Sequence, residues 1–342
     1  MTATQAFPTA PPLPRELQVE VTGACNLRCR MCLVRYAPAI SKKAGALSYE
    51  QFLELVDGMP ELRRLTLQGL GEPLLSPHLL DMVEHAAARG IDVGFNTNGT
   101  LLGRDVAERL VAGGCGWLHV SLDGATAATY EDVRHGTDLR PHPGQFERVV
   151  SNLRGLVEAR AGSGRPRIQL VFVAMRRNLR ELPALVSLAA DIGVDSIWVQ
   201  NLSHDFCDTD PSGSYREIRQ YAREEAVFGH ELDAAGAVFG RAAACARRLG
   251  VELRLPRLEE PAGSDEGPGC TWPWTSAYVT HRGEVQPCCM VMGSDRAMMG
   301  RLDEASFEEI WQSQVYRDFR AALLNGEPPD VCRGCSLYRR VF

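Results

Sequence analysis

Three cysteines lie close together near the N-terminus of the chain. Cys25, Cys29 and Cys32 follow the spacing C-x3-C-x2-C. Thiolates bind zinc and the irons of iron–sulfur clusters, and a closed structural site normally uses four ligands. Three thiolates would hold three irons of a four-iron cluster and leave one iron open, which is typical of a catalytic site. A zinc knuckle is the alternative, although the closest downstream histidine is His78.

A second set of four cysteines lies near the C-terminus. Cys270, Cys288, Cys332 and Cys335 follow the spacing C-x17-C-x43-C-x2-C. Four thiolates complete a cluster, and a structural zinc ribbon uses the same C-x2-C pairs. A fully ligated cluster has no position left for a substrate. We therefore expect it to accept or donate electrons and to stabilise a lobe of about 70 residues.

Cys289 directly follows one of these four cysteines and is not needed as a ligand. Adjacent residues of a strand face opposite sides, so we expect Cys289 to point away from the cluster, toward the barrel mouth. One interpretation is a hydrogen-atom donor that quenches a carbon radical. The alternative is a small buried hydrophobic residue. Cys115, Cys207 and Cys245 are poorer candidates for a donor.

Short β-type segments alternate with helical ones in the first two thirds of the chain. The predicted strands are residues 17–22, 64–69, 92–98, 117–123, 167–174 and 196–201, with helical stretches such as 48–59, 77–90 and 179–193 between them. Repeated β-α units indicate a parallel sheet with right-handed crossovers. We therefore expect the α/β class, as a partial, open β/α barrel of about six strands. The first cysteine set would lie at its carboxyl rim, where such folds carry their chemistry.

The composition and net charge of the chain exclude some classes of function. The 342 residues carry a net charge of −6, which gives no electrostatic footprint for nucleic acid. We expect no membrane span, because no apolar run approaches about 20 residues. The first residues do not read as a signal peptide, so we expect a cytoplasmic protein. Eleven cysteines in a reducing compartment indicate metal binding or catalysis rather than disulfides.

The domain organisation follows from changes in this pattern. We expect a flexible tail at 1–15, the barrel at 16–205, a helical region covering it at 206–258, a linker at 259–269 and a cysteine-rich domain at 270–342. The linker prediction rests on its Pro, Gly and acidic residues. Residues 251–256 are a possible further strand, and residues 277–288 are predicted to form a β-hairpin.

The first cysteine set and its position after a strand resemble the radical S-adenosylmethionine (SAM) superfamily. The resemblance implies a four-iron cluster whose open iron binds SAM, and reductive cleavage of SAM to a 5′-deoxyadenosyl radical. It also implies an electron donor such as flavodoxin or ferredoxin. Met31 stands where the family often has an aromatic residue, and it could pack on the adenine.

Further motifs carry this resemblance along residues 17–201. "GLGEPLL" resembles the family's GGEP turn, in which Gly71 and Glu72 would bind the SAM amino group. By the same resemblance Asn96, Ser121 and Asp123 would line the SAM ribose and carboxylate region, and Arg176 is a weaker candidate for the carboxylate. The C-terminal cysteines resemble the twitch form of the SPASM domain, which implies one auxiliary four-iron cluster.

The small C-terminal domain is similar to that of aminocyclitol and sugar dehydrogenases and epimerases of antibiotic pathways. The expected substrate is therefore a hydroxyl-rich small molecule, and the polar residues proposed to meet it are His204, Asp205, Asp208, Asp210, Tyr215 and Arg216. We favour epimerisation because Cys289 is available as a donor. The alternatives are dehydrogenation to a ketone through the auxiliary cluster, a peptide maturase, or a non-catalytic iron–sulfur or zinc protein.

Overall fold

The computed structural model describes residues 7–36, 45–202, 213, 215–229, 232–261, 268–291 and 293–341. Its strands are β1 (Glu16–Val19), β2 (Arg64–Thr66), β3 (Asp92–Thr97), β4 (Trp117–Ser121), β5 (Arg167–Ala174), β6 (Ser196–Asn201), β7 (Glu252–Arg254), β8 (Ser276–Val279), β9 (Glu284–Gln286) and β10 (Gly300–Arg301). They form one ten-stranded sheet in the order β10-β9-β8-β1-β2-β3-β4-β5-β6-β7.

Helices connect the strands and cover the outside of the sheet. They are α1 (Leu33–Tyr36), α2 (Tyr49–Asp57), α3 (Leu79–Ala88), α4 (Arg104–Ala112), α5 (Ala127–Val133), α6 (Gln145–Ala159), α7 (Leu182–Ile192), α8 (Arg216–Glu225), α9 (Leu232–Leu249), α10 (Trp272–Thr275), α11 (Phe307–Trp311), α12 (Gln314–Leu324) and α13 (Asp330–Arg333). Strands β1 to β7 pair in parallel with their neighbours, as right-handed β-α crossovers require. The α/β prediction of a partial barrel is confirmed, and residues 252–254 add a seventh parallel strand.

Side chains alternate across the sheet and divide it into two faces. Leu65, Phe95 and Leu118 are fully buried in the apolar core. Their strand neighbours Thr66 and Asn96 line a cavity inside the curved sheet instead. This period of two is the strand alternation expected of a barrel wall, and it gives the chain a polar lumen beneath its carboxyl rim.

The cysteine-rich C-terminal region extends the barrel sheet. Strand β8 pairs in parallel with β1, with Glu16 opposite Ser276, and β8 and β9 form the predicted antiparallel hairpin. Gly283 lies in its turn with a φ of +74°, a conformation that favours glycine. The hairpin therefore brings the second cysteine set next to the first strand of the barrel.

The N-terminal segment is bound to the C-terminal region, so the prediction of a flexible tail at 1–15 does not hold for residues 8–12. Trp274 Nε1 donates to the Pro8 carbonyl at 2.7 Å. Trp311 Nε1 donates to the Pro12 carbonyl at 3.0 Å, and Gln312 Nε2 donates to the Pro11 carbonyl. Proline lacks an N–H but keeps its carbonyl, so a proline-rich segment is well suited to this one-sided pattern of acceptors.

No helix in the described ranges has the length and apolar character that a membrane span needs.

Candidate functional site

The first cysteine set lies on the loop that follows β1. Two backbone hydrogen bonds, from Arg28 N to His135 O (2.8 Å) and from Arg30 N to Val133 O (2.9 Å), tie this loop to the segment after β4. Cys25, Cys29 and Cys32 all line one cavity of about 680 Å³ at the carboxyl rim of the sheet. The structure thus places the three thiols where β-α folds carry their chemistry.

Burial controls the protonation of these thiols. It raises the pKa of Cys25 to about 11 and that of Cys32 to about 12, and it raises the pKa of Cys29 as well. Buried thiolates need a positive charge beside them, and metal ions deprotonate the thiols they bind. Three thiols on one short loop, facing a shared cavity, are a donor set that fits a cluster with one open position.

Arg134 lies beside the cysteines and was not singled out from the sequence. Its Nη1 is 3.8 Å from Cys29 Sγ, and its Nε donates to Asp123 Oδ2 at 2.8 Å. Asp123 was predicted to line the SAM region, but it is fully buried and not part of the cavity wall. It accepts from Val173 N at 2.7 Å and holds Arg134, which does line the cavity. Asp123 therefore orients a cation rather than facing a ligand.

Glu72 is a buried carboxylate at the cavity wall. It accepts hydrogen bonds from Thr97 Oγ1 and Asn98 N, both at 2.7 Å, and from Leu74 N at 3.2 Å. Burial raises its pKa, and these donors act in the opposite direction. Its position is set by the preceding Gly71, where a Cβ would lie 2.1 Å from the Thr22 carbonyl oxygen. Only glycine lets the turn approach the cysteine loop this closely.

Asn98 of the "NTNG" stretch attaches the cysteine loop to the end of β3. Its Nδ2 donates to Asn26 Oδ1 at 2.8 Å, and Asn26 Nδ2 donates to Thr100 Oγ1 at 2.8 Å. Asn96 and Ser121, both predicted from the resemblance, line the cavity. Asn96 Oδ1 is buried without a hydrogen-bond partner among the described residues. The site thus retains an unused acceptor in its wall.

Two other predicted SAM residues lie in different environments. Met31 lines the cavity together with the three cysteines. Arg176 is exposed and is not part of the cavity wall, and its Nε donates to the Ala226 carbonyl at 3.3 Å. The chain turns sharply after β5, which carries Arg176 to the outside. Arg134 lines the cavity, as do Arg64 and Arg254, and of these three Arg134 is the one beside the first cysteine set.

The second cysteine set surrounds a separate apolar cavity. Cys270, Cys288, Cys332 and Cys335 line it together with Pro273, Met290, Val291, Phe319, Leu323, Val331, Leu337 and Tyr338. Burial raises the pKa of Cys270 to about 11 and raises that of Cys288 well above its ordinary value. Among the described residues, no three Cys, His, Asp or Glu side chains are grouped as ligands of a single ion. Four thiols around one dry cavity are a donor set that fits a fully ligated cluster.

Cys289 lines the larger cavity with the first cysteine set, whereas Cys288 lines the smaller one. Strand β9 ends at Gln286, and Cys289 begins a short 3-10 turn, Cys289–Val291. Strand alternation therefore does not explain the opposite orientations, and the turn does. Burial raises the pKa of Cys289 to about 12, so the thiol keeps its proton at neutral pH. Cys115 is buried beneath the sheet, Cys245 lies on α9, and Cys207 lies outside the described residues.

A buried polar group connects the barrel to the C-terminal hairpin. Tyr278 OH donates to Glu20 Oε2 at 2.8 Å, His281 Nδ1 is hydrogen-bonded to Glu20 Oε1, and Leu70 N donates to Glu20 Oε2 at 2.8 Å. The partners of Glu20 outweigh its burial and lower its pKa. Tyr278 also lines the larger cavity. In the sequence, the signal that points to this group is the carboxylate Glu20 between Val19 and Val21.

The lumen below the rim is rich in hydrogen-bonding groups and aromatic rings. Gln18, Thr66, Gln68, Trp117, His119, Trp198 and Gln200 line it. Burial lowers the pKa of His119 to about 4, so its ring is neutral. Of the residues proposed from the sequence to meet a substrate, Tyr215 is buried and donates to Asp295 at 3.4 Å, and Arg216 is exposed. His204, Asp205, Asp208 and Asp210 lie outside the described residues.

Comparison with known families supports both halves of the site. Residues 19–165 match the family model described as the radical SAM superfamily, and residues 270–336 match one described as an iron–sulfur cluster-binding domain, SPASM. The AdoMet-dependent heme synthase of Methanosarcina barkeri is 29% identical over 338 residues, which cover 94% of this chain and 91% of that protein.

Two further relatives bear other names. The PqqA peptide cyclase of Xanthomonas campestris is 24% identical over 331 residues, which cover 96% of this chain and 80% of that protein. The mycofactocin maturase MftC of Mycobacterium tuberculosis is 33% identical over 175 residues, which cover 51% of this chain and 41% of that protein.

Solved structures share the fold. Streptococcus suis SuiB bound to precursor peptide SuiA has a TM-score of 0.66 at 14% identity, covering 96% of this chain and 71% of that one. BtrN in complex with AdoMet and 2-DOIA has a TM-score of 0.52 at 17% identity, covering 92% and 89%. These likenesses confirm the partial barrel with a C-terminal cysteine-rich extension.

Proposed function

The chain belongs to the radical SAM superfamily and carries a SPASM domain, and from this premise we propose that it modifies a peptide by radical chemistry. The two domains imply a SAM-binding four-iron cluster and an auxiliary cluster. When bound, the first cluster supplies the electron that cleaves SAM to methionine and the 5′-deoxyadenosyl radical. The observation that supports radical SAM chemistry is a single cavity lined by Cys25, Cys29 and Cys32 and by polar residues at the ends of the strands.

We propose that a few of the residues that line the cavity bind the cluster and SAM. The three cysteines hold three irons, and Glu72 accepts a hydrogen bond from the SAM amino group. Asn96, whose acceptor oxygen is unused, and Ser121 bind the ribose hydroxyls. Arg134 replaces Arg176 as the partner of the SAM carboxylate, because guanidinium and carboxylate pair well and Arg134 faces the cavity.

Binding the rest of SAM is a matter of packing. Met31 lies in the cavity wall, and its polarizable thioether suits contact with the adenine ring. We propose that Gly71 keeps the turn close enough for Glu72 to reach the same ligand.

Two relatives favour a peptide as the substrate. One is named a PqqA peptide cyclase and aligns along 96% of this chain. SuiB, which shares the fold, is described bound to a precursor peptide. We propose a ribosomally made peptide whose reacting side chain enters the lumen, where amide groups and aromatic rings hold it beside SAM. The electron donor proposed is a flavodoxin or a ferredoxin, and the proposed location is the cytoplasm, where thiols stay reduced.

A hydroxyl-rich small molecule is the second candidate, and the position of Cys289 favours it. Its thiol lies in the same cavity as the first cysteine set, so it could return a hydrogen atom to a substrate radical from the opposite face. The product would be an epimer. Electron transfer to the auxiliary cluster with loss of a proton would instead give a ketone. Rings of Trp117 and Trp198 with nearby amides also suit a sugar.

One experiment tests the chemistry and separates the substrates. Anaerobically reconstituted protein is incubated with dithionite and SAM, and 5′-deoxyadenosine is measured. We expect 5′-deoxyadenosine in every arm, and deuterium transfer into it only from the true substrate class. The arms are deuterated peptides encoded beside the gene and deuterated aminocyclitols. Full iron content without 5′-deoxyadenosine would favour a non-catalytic iron–sulfur protein.

A further inference from the structure

Arg320 on α12 is a fully buried cation. Its exposed fraction is 0%, and charged side chains are almost never fully buried unless they are paired. Nε donates to the Pro273 carbonyl at 2.8 Å, and Nη1 donates to the carbonyls of Thr9 and Trp311 at 3.0 and 2.9 Å. Nη2 is buried without a partner. In the described part of the chain, no aspartate or glutamate pairs with it.

Aromatic rings stabilise the guanidinium without neutralising it. The Arg320 Cζ lies 4.2 Å from the ring centroid of Trp311 and 4.1 Å from that of Tyr316. Cation–π contacts of this kind are favourable, but the rings carry no net charge. Burial lowers the pKa of Arg320 to about 10, so the side chain is still charged at neutral pH. A buried cation of this kind needs a counter-charge.

The second cysteine set is a candidate counter-charge. Pro273, whose carbonyl accepts from Arg320, lines the four-cysteine cavity, and so does Phe319, the residue before Arg320. Tyr316, whose ring lies against the Arg320 guanidinium, is on the same helix as Phe319. The cation and the cysteines are thus separated by one layer of side chains in an apolar environment. Charges interact strongly across such a layer.

We propose that Arg320 is the buried counter-charge of the auxiliary cluster and raises its reduction potential. This inference rests on the auxiliary cluster of the proposed function. Four thiolates make a four-iron cluster net anionic, and reduction adds one electron without making or breaking a bond. A fixed cation stabilises the more negative, reduced state. Net charge and burial are among the factors that set the potential of such clusters.

The test is a redox titration of the full-length, cluster-loaded protein. Cys25, Cys29 and Cys32 are replaced by alanine so that the auxiliary cluster is the only cluster that contributes to the signal. The potential is set with dithionite and redox mediators, and the amount of reduced cluster is measured by electron paramagnetic resonance. Arg320→Met removes the charge, and Arg320→Lys keeps it. Arg317→Met is the matched control, because Arg317 is an exposed arginine on the same helix.

We expect Arg320→Met to lower the ratio of reduced to oxidised cluster about tenfold at a fixed potential, or about 59 mV for a one-electron couple. Arg320→Lys and Arg317→Met should shift the reduction potential of the cluster by less than half as much. If Arg320→Met does not fold, Arg320→Gln replaces it, since its amide still donates to the carbonyls without a charge.

Three results would overturn the inference. One is a potential in Arg320→Met or Arg320→Gln that equals the Arg317→Met value. Another is an equal shift in Arg320→Lys, which would show that packing rather than charge is responsible. The third is zinc in place of iron at the second cysteine set. That result would remove the auxiliary cluster from the proposed function but would leave SAM cleavage at the first cysteine set untouched.

Discussion

The two cysteine sites of this chain lie in opposite kinds of surroundings. The first set opens into a cavity of about 680 Å³ whose wall includes many polar side chains, and the arginine beside it, Arg134, is paired with Asp123. The second set faces an apolar cavity, and the arginine behind it, Arg320, has no carboxylate partner among the described residues. The arginine of the first site thus has a carboxylate partner within the protein, whereas that of the second site has none among the described residues.

This difference matches the number of thiolates in each set. Three ligands leave a position open, and an open position is useful only where ligands can enter and find polar partners. Four ligands close the cluster, and a closed cluster is best held in a dry, rigid pocket where its charge is tuned by the protein. Cys289 follows a ligand of the second set but faces the cavity of the first. It is therefore the residue through which the two regions could act on one substrate.

The largest expected effect comes from removing the first set. Replacing Cys25, Cys29 and Cys32 by alanine should abolish 5′-deoxyadenosine formation, because no thiolates remain to hold the SAM-binding cluster. Iron should fall from roughly eight to roughly four per chain, since two four-iron clusters become one. The measurement is iron content beside 5′-deoxyadenosine yield.

Cys245→Ala is the matched control, because Cys245 lies on α9 and not in either cysteine cavity. It should keep all the iron and all the activity. SAM cleavage that persists in the triple variant would contradict the assignment of the first set.

A large effect on the product, but not on SAM cleavage, is expected from Cys289→Ala. Because burial holds the pKa of Cys289 at about 12, the thiol stays protonated and exchanges its hydrogen with solvent. If the enzyme is an epimerase, the wild type should place one solvent deuterium in a product of otherwise unchanged mass. Cys289→Ala should lose that deuterium and still form 5′-deoxyadenosine.

The same mass measurement separates the alternatives. A product lighter by two hydrogens, with no deuterium gained, would establish dehydrogenation, which needs the auxiliary cluster but not Cys289. Unchanged deuterium incorporation in Cys289→Ala would show that another group donates the hydrogen.

A moderate effect is expected from Glu72→Gln, which keeps the size of the side chain and removes its charge. A charge-assisted hydrogen bond is worth about 1.5–3 kcal/mol, so affinity for SAM should fall by about one to two decades. Burial raises the pKa of Glu72, so in the wild type SAM affinity should also weaken as pH falls and the carboxylate gains its proton. Calorimetric titration with SAM measures both. Glu61→Gln, at an exposed glutamate, is the control. Unchanged SAM affinity in Glu72→Gln would show that the amino group of SAM does not bind at the GEP turn.

The sequence predicted the ligand-bearing motifs better than their supporting residues. The β-α alternation predicted the partial barrel, because apolar strand segments and crossover helices are local patterns. The cysteine spacings predicted two separate sets, and the structure places each set on one cavity. The roles of Asp123 and Arg176 did not follow from strand position, because side-chain direction at the end of a strand depends on the loop that comes next.

Long-range contacts are the part that single-sequence reasoning missed. Arg134 and Asp123 meet from opposite ends of α5, Arg320 binds the carbonyl of Thr9, and Glu20 meets His281 of the C-terminal hairpin. No periodic pattern encodes such pairs. The flexible-tail prediction for residues 1–15 was wrong for residues 8–12 for the same reason, since the tryptophans that bind them lie more than 200 residues away.

The smallest predicted effect concerns Tyr278, where the two regions join. Its hydroxyl donates to Glu20, the residue that follows β1, and Glu20 keeps His281 and Leu70 N as partners when the hydroxyl is removed. Tyr278→Phe should therefore lose one buried hydrogen bond, about 1 kcal/mol, and lower the melting temperature by about 2 °C. Tyr49→Phe is the control, because its hydroxyl bonds to none of the described residues. A tenfold loss of 5′-deoxyadenosine with little change in melting temperature would instead show that Tyr278 takes part in the chemistry of the larger cavity. The C-terminal hairpin would then contribute to the reaction as well as to stability.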